Sequence, residues 1–170
     1  AFIPGDGSTN PIDTTQALAK GARSRGAKIL EGVTVTGFQT ENGAIRAVET
    51  DQGTIACEVA VLCAGAWTRD RGRLAGVAVP LYAAEHMYVM TEAHPEIRPN
   101  LPVLRDTDGT IYVKEDAGKL LVGSFEAKAK SLPMSRLPAN FQFGELGEDW
   151  EQFEEPMTNA MSLVPLIGAL

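Results

Sequence analysis

The chain has 170 residues, 44% of them hydrophobic, and a formal charge of -7 from 22 acidic and 15 basic side chains. That length suffices to bury one ordinary core or pieces of two smaller ones, and the acidic balance excludes partners held by phosphate neutralisation or by an anionic membrane surface. No apolar run reaches the roughly 18 residues of a membrane span and no charged start leads into an apolar signal core, so the sequence predicts a soluble chain.

Asn10, Pro11 and Asp13 carry the chemistry of a helix start, and a helix is expected from Pro11 to about Arg25. Ile12, Ala17, Leu18 and Ala22 give it a modest apolar stripe, and Gly26 stops it. Strands are expected over Lys28 to Leu30 and Val33 to Phe38. Asn42-Gly43 is a hairpin turn because both positions tolerate positive φ. Ala44 to Thr50 returns, Asp51-Gln52-Gly53 turns again, and Thr54 to Cys57 follows.

The next segment is the most informative. Val59 to Leu62 reads as a buried strand, apolar on both faces, ending in Cys63-Ala64-Gly65-Ala66-Trp67. Small residues at the carboxyl end of such a strand let a ligand approach the backbone. Beyond Trp67 come a short helix to about Leu74, a stop at Gly76, and a long strand from Val79 to Thr91 with Tyr82, Ala84, His86, Tyr88 and Met90 on one face. Val103 to Arg105, the turn Asp106 to Gly109, Thr110 to Lys114, the turn Ala117-Gly118 and Lys119 to Phe125 read as an antiparallel sheet. From Leu146 on, Trp150, Phe153, Met157, Met161 and Val164 have near-helical spacing, interrupted by Pro156 and closed by Pro165.

Several motifs fail on chemistry. Gly5-Asp6-Gly7 lacks the third glycine of a dinucleotide loop and sets Asp6 where a pyrophosphate would lie. Asp106 and Asp108 lack the remaining ligands of a calcium loop, and His86, His94, Cys57 and Cys63 lack metal-site spacing, so no metal is expected. The two cysteines read as free thiols in a reducing compartment, with Cys63 a small buried residue and not a nucleophile. Trp67 reads as a large residue packing at the mouth of a sheet. His86 fits a hydrogen-bonded core position, but Tyr82, Tyr88 and Tyr112 nearby would make a pocket wall with aromatic surface and several donors.

These segments together resemble the middle of an FAD-dependent amine oxidoreductase of the glycine/D-amino-acid oxidase superfamily, nearest its sarcosine and dimethylglycine dehydrogenase branch. The likeness rests on Pro11 with its helix, Arg25-Gly26-Ala27, the strand through Val35, Ala47 to Gly53, Val61 to Trp67, Leu74 to Val77, Pro80-Leu81, Glu85 to Tyr88, Asp106 to Gly109, Ile111-Tyr112 and Gly123 to Glu126. It implies an α/β plus α+β fold: a partial Rossmann-like FAD-binding domain over residues 1–76, joined to an antiparallel-sheet substrate domain with a C-terminal helix over 77–170. It also implies FAD as cofactor, met by Val35, Cys63, Ala64, Gly65 and Trp67, and a substrate pocket with His86 and Tyr112 as catalytic candidates and Tyr88 beside them. Lys114, read as facing away from Tyr112, is not given the substrate carboxylate.

The implied reaction is oxidation of an N-methylated glycine-type amine by hydride transfer to FAD, with either oxygen or an electron-carrier protein as the electron acceptor. The family's glycine-rich pyrophosphate cradle is absent from these residues, so the chain is expected to be an internal fragment that binds FAD weakly or not at all and does not turn over. A non-catalytic regulatory relative of the same fold and a self-associating interaction fragment are the alternatives. Unpaired sheet edges predict homodimerisation, and the compartment expected is the cytoplasm for a bacterial protein and the mitochondrial matrix for eukaryotic relatives.

Overall fold

A computed structural model describes residues 1–170 and resolves two compact units, one of Thr9–Ala83 with Pro133–Arg136 and one of Ala1–Ser8, Ala84–Leu132 and Leu137–Leu170. The first is built on a meander and the second on a larger sheet.

In the meander unit, helix α1 spans Pro11–Ser24, and the Asn10 side chain accepts hydrogen bonds from the backbone of Ile12 at 2.9 Å and Asp13 at 3.1 Å. This satisfies two of the four orphan amides of the first turn. Asn10→Ala should therefore cost the helix about 1 kcal/mol and speed amide exchange at Ile12 and Asp13; unchanged exchange would contradict the capping role. Strands β1 (Val35–Glu41), β2 (Ala44–Thr50) and β3 (Gly53–Ala56) form an antiparallel sheet in chain order. The β1–β2 turn places Asn42 and Gly43 at φ 51° and 76°, the left-handed pair that matches the twist of a two-residue hairpin. A single 3-10 turn at Gly65–Trp67 leads into α2, Thr68–Leu74.

Four expectations for this unit are corrected. Lys28 to Leu30 and Val59 to Ala64 form no strand, and Val59 and Val61 are 77% and 83% exposed. A central parallel strand holds its shape through ladders on both sides, and no strand of these residues pairs with either segment. For the same reason Cys63 is exposed and not buried. The α1 stripe is likewise uncovered, with Ile12 and Leu18 exposed.

The second unit holds the larger sheet. Strands β4 (Tyr88–Met90), β5 (Leu104–Asp106), β6 (Ile111–Asp116) and β7 (Lys119–Ser124) are antiparallel in the order β4-β7-β6-β5. The long strand expected over Val79 to Thr91 is reduced to β4 and an isolated bridge between Ala84 and Ser131. Tyr82 falls in the meander unit, where Arg69 lies over its ring at 5.1 Å, so it does not join His86 and Tyr88 in a strand.

Helix α3, Trp150–Leu163, packs on β6 and β7. Phe153, Pro156 and Ala160 recur on one helical face and are buried. They meet Ile111, Val113, Leu120 and Val122, the residues of alternate parity on the two central strands. The helix runs unbroken through Pro156, where a break was expected; burial of the ring accompanies the one backbone bond its nitrogen cannot make. No helix is long and apolar enough to cross a membrane.

Candidate functional site

Because α3 covers one face of the larger sheet, period-two alternation commits the other face to whatever lies outside. The register places four residues of that open face in one row: Arg105 opposite Tyr112, Tyr112 opposite Gly123, and Gly123 opposite Tyr88. Phe125 follows Gly123 by two and His86 precedes Tyr88 by two, so both extend the same side. Tyr88 and Phe125 are each 51% exposed.

The side chains interlock around Phe125. Its ring centroid lies 5.2 Å from that of Tyr112 and 5.3 Å from the His86 ring, which meets it edge-on. Gly123 makes the arrangement sterically possible, because a β-carbon there would overlap the Tyr112 ring and hydroxyl.

His86 is oriented from behind. Its Nδ1 lies 2.6 Å from Oε2 of Glu126, a residue whose side chain is 11% exposed. A carboxylate only accepts, so the hydrogen sits on Nδ1 and Nε2 is the nitrogen left to a ligand. The second Glu126 oxygen is buried without a partner, an acceptor left open to a donor. Burial first, then Tyr88 and Glu126, raise the Tyr112 phenol above its ordinary value of 10.0. The phenol therefore stays a neutral O–H donor at neutral pH.

A phenol that holds its proton more tightly in the folded state contributes stability intact below pH 10 and lost as pH rises through the folded value. In a phenolate absorbance titration, Tyr112→Phe should remove the last part of the rise and flatten the alkaline loss of stability; an identical curve for the variant would refute the assignment.

The structure thus brings His86, Tyr112 and Tyr88 onto one face, with Phe125, Glu126 and Arg105 added. Lys114 requires correction: two residues from Tyr112, it shares that residue's face, since strand side chains alternate with period two. The hairpin also makes Arg105 legible, because a turn closing between Asp106 and Ile111 sets Arg105 opposite Tyr112. The Glu126 contact spans 40 residues of chain and carries no local signal.

The meander unit holds a separate feature, an open cleft of about 380 Å³ whose walls include Val33, Val35, Phe38, Val48, Ala60, Leu62, Ala64 and Arg71. Its size is within the roughly 300–1,000 Å³ of small-molecule sites. Arg71 donates to the Val35 carbonyl at 2.9 Å, tying α2 to β1. Of the cofactor candidates, Val35 and Ala64 line the cleft; Cys63, Gly65 and Trp67 do not. Gly65 adopts φ 52°, and nothing lies within 4 Å of where its β-carbon would stand, so its backbone remains approachable. No group of three His, Cys, Asp or Glu side chains is arranged to hold a metal.

The chain is 41% identical over 168 residues to 4-methylaminobutanoate oxidase (formaldehyde-forming) of Paenarthrobacter nicotinovorans, covering 99% of this chain and 20% of that protein. It is 37% identical over 171 residues to human mitochondrial sarcosine dehydrogenase, covering 98% of this chain and 18% of the relative. The chain therefore spans about a fifth of the length of these relatives. The fold matches that of an L-proline dehydrogenase from P. horikoshii with a TM-score of 0.76 at 24% identity, over 98% of this chain and 42% of that one.

FAD fits what the meander unit offers. Val35, Phe38 and Leu62 present apolar walls suited to a flat heteroaromatic ring, and the open backbone at Gly65 lies one residue from the wall residue Ala64. Residues 1–169 match the family described as DAO, FAD dependent oxidoreductase, and the chain belongs to that family.

Proposed function

We propose that these residues serve a flavoenzyme that oxidises N-methylated amino acids of the sarcosine or dimethylglycine type, with a FAD-binding portion over residues 1–76 and a substrate portion over 77–170. The observation that carries this reading is the open sheet face, where aromatic surface surrounds a histidine held by a buried carboxylate. The names of the relatives, one an oxidase of a methylamino acid that forms formaldehyde and one a sarcosine dehydrogenase, support the substrate class.

When bound, FAD supplies a two-electron acceptor for the hydride that leaves the N-methyl carbon. The protein's share is positioning and proton control. Tyr88, Tyr112 and Phe125 offer π-faces to the methylated amine. His86 Nε2, free of Glu126, takes the ammonium proton and so releases the nitrogen lone pair that drives hydride loss. The Tyr112 hydroxyl donates to the substrate from a fixed ring. The iminium formed from the substrate adds water and separates into formaldehyde and the demethylated amine. In the meander unit, Val35 and Ala64, which line the cleft, would hold the adenine end of FAD, with Cys63, Gly65 and Trp67 beside them.

The test is an anaerobic substrate panel on the full-length flavin-loaded protein. N-Methylglycine, N,N-dimethylglycine and 4-methylaminobutanoate should bleach the flavin with one formaldehyde per flavin reduced, and glycine should not. Bleaching by glycine alone, or by none of these amines, would overturn the reading.

A further inference from the structure

The three arginines of α2 hold different partners. Arg69 lies over the Tyr82 ring, and Arg73 pairs with Asp70 at 3.4 Å. Arg71 pairs with no carboxylate. Its Nη1 donates to the Val35 carbonyl at 2.9 Å, and the rest of its N–H donors have no acceptor in the chain.

Packing sets this placement. Gly72, the next residue along α2, is buried, and a β-carbon there would stand 2.6 Å from a Val79 methyl and 3.1 Å from the Val77 carbonyl oxygen. The helix is thus pressed onto the chain from Val77 to Val79 by one residue and tied to β1 by the residue before it. Of the side chains lining the cleft, Arg71 carries the only charge, among apolar neighbours that include Val35, Phe38, Leu62 and Ala64. A half-buried guanidinium in such surroundings gains most from a ligand that brings it hydrogen-bond acceptors or negative charge. A flat apolar ring joined to acceptors and charge is the chemistry of a nucleotide, and FAD carries it in its ADP half; the riboflavin half has no charge.

We propose that Arg71 is a cofactor-positioning residue: one N–H fixes the Val35 wall of the cleft against α2, and the remaining donors hold the ADP half of FAD. The proposal rests on the assignment of this cleft to FAD given above and is independent of which amine is oxidised.

FAD and ADP are titrated into full-length apoprotein, with riboflavin as the control that lacks the ADP half. Arg71→Met keeps the apolar stem without the donors. It should weaken ADP and FAD by roughly 10- to 100-fold, the size of one hydrogen bond to a charged group. Arg71→Lys should recover part of the loss, because a single point charge replaces the planar fork. Riboflavin binding by Arg71→Met, and ADP binding by Arg73→Gln, should match wild type. In wild-type protein ADP should shield Arg71, and leave Arg73 exposed, to a dicarbonyl reagent read by peptide mass. The proposal is overturned if Arg71→Met binds ADP as wild type does, if riboflavin weakens in step with ADP, if Arg73→Gln carries the loss, or if Arg71 reacts equally with and without ADP. Flavin bleaching by N-methylglycine is read in parallel on the holoenzyme. Arg71-dependent ADP binding without bleaching by any N-methylamine would retain the nucleotide contact and remove the oxidative reading.

Discussion

Gly123→Ala should produce a folded protein that has lost most of the amine oxidation proposed for it. Gly123 lies in β7 between Tyr88 and Tyr112, and the space a β-carbon would need is filled by the Tyr112 ring and hydroxyl. The atoms in the way belong to the outer end of a side chain with open surface beyond it, so the ring swings aside and the strands keep their register. A catalytic group displaced by about 1 Å can cost on the order of 100-fold in rate. The expected result is a fall of that size in anaerobic flavin reduction with an unfolding midpoint near wild type. A crystal structure of the variant with Tyr112 unmoved, or full activity, would contradict the account of how the face is built.

Phe153→Ala should act on the opposite side of the same sheet. Phe153 is fully buried where α3 meets the inward-facing residues Ile111, Val113 and Val122. Removing a buried aromatic ring sacrifices its transfer free energy and leaves a cavity that close-packed neighbours cannot fill, about 3–5 kcal/mol in comparable sites. That is a large fraction of a typical domain's stability. Urea unfolding followed through Trp150, whose ring lies 6.2 Å from Phe153, should show the midpoint shift strongly downward; a shift below about 1 kcal/mol would mean that α3 does not hold the sheet.

The two variants separate what was legible in the sequence from what was not. Hairpins were legible because their determinants are local. Asn42-Gly43 and Ala117-Gly118 name the turns, and each turn pairs the residues on either side of it. The helix start at Asn10 and Pro11 was legible for the same reason. His86 and Tyr112 could be named from a resemblance, but the partners that orient them come from β7 and the residues just after it, and only register and packing reveal those.

Failures came where pattern depends on partners. Val59 to Leu62 has the composition of a central strand, yet a strand needs ladders that no segment of these residues provides. The expected strand from Val79 to Thr91 divides because Tyr82 packs with Arg69 in one unit while Tyr88 pairs with Gly123 in the other. Lys114 was misassigned by parity, an error the strand period itself exposes.

The measurement that tests the central claim most directly is the anaerobic rate of flavin reduction by N-methylglycine in the full-length holoenzyme, compared across wild type, His86→Gln, Tyr112→Phe and Lys119→Gln. Positioned proton transfer contributes roughly 100- to 10,000-fold, so His86→Gln should slow reduction by at least about 100-fold at neutral pH and lose part of that deficit at high pH, where the amine is already deprotonated. Tyr112→Phe should slow it less, and Lys119→Gln, in a strand-end residue away from the aromatic row, should leave it unchanged. Wild-type rates in the His86 and Tyr112 variants would contradict the claim that amine oxidation occurs on this face of the sheet.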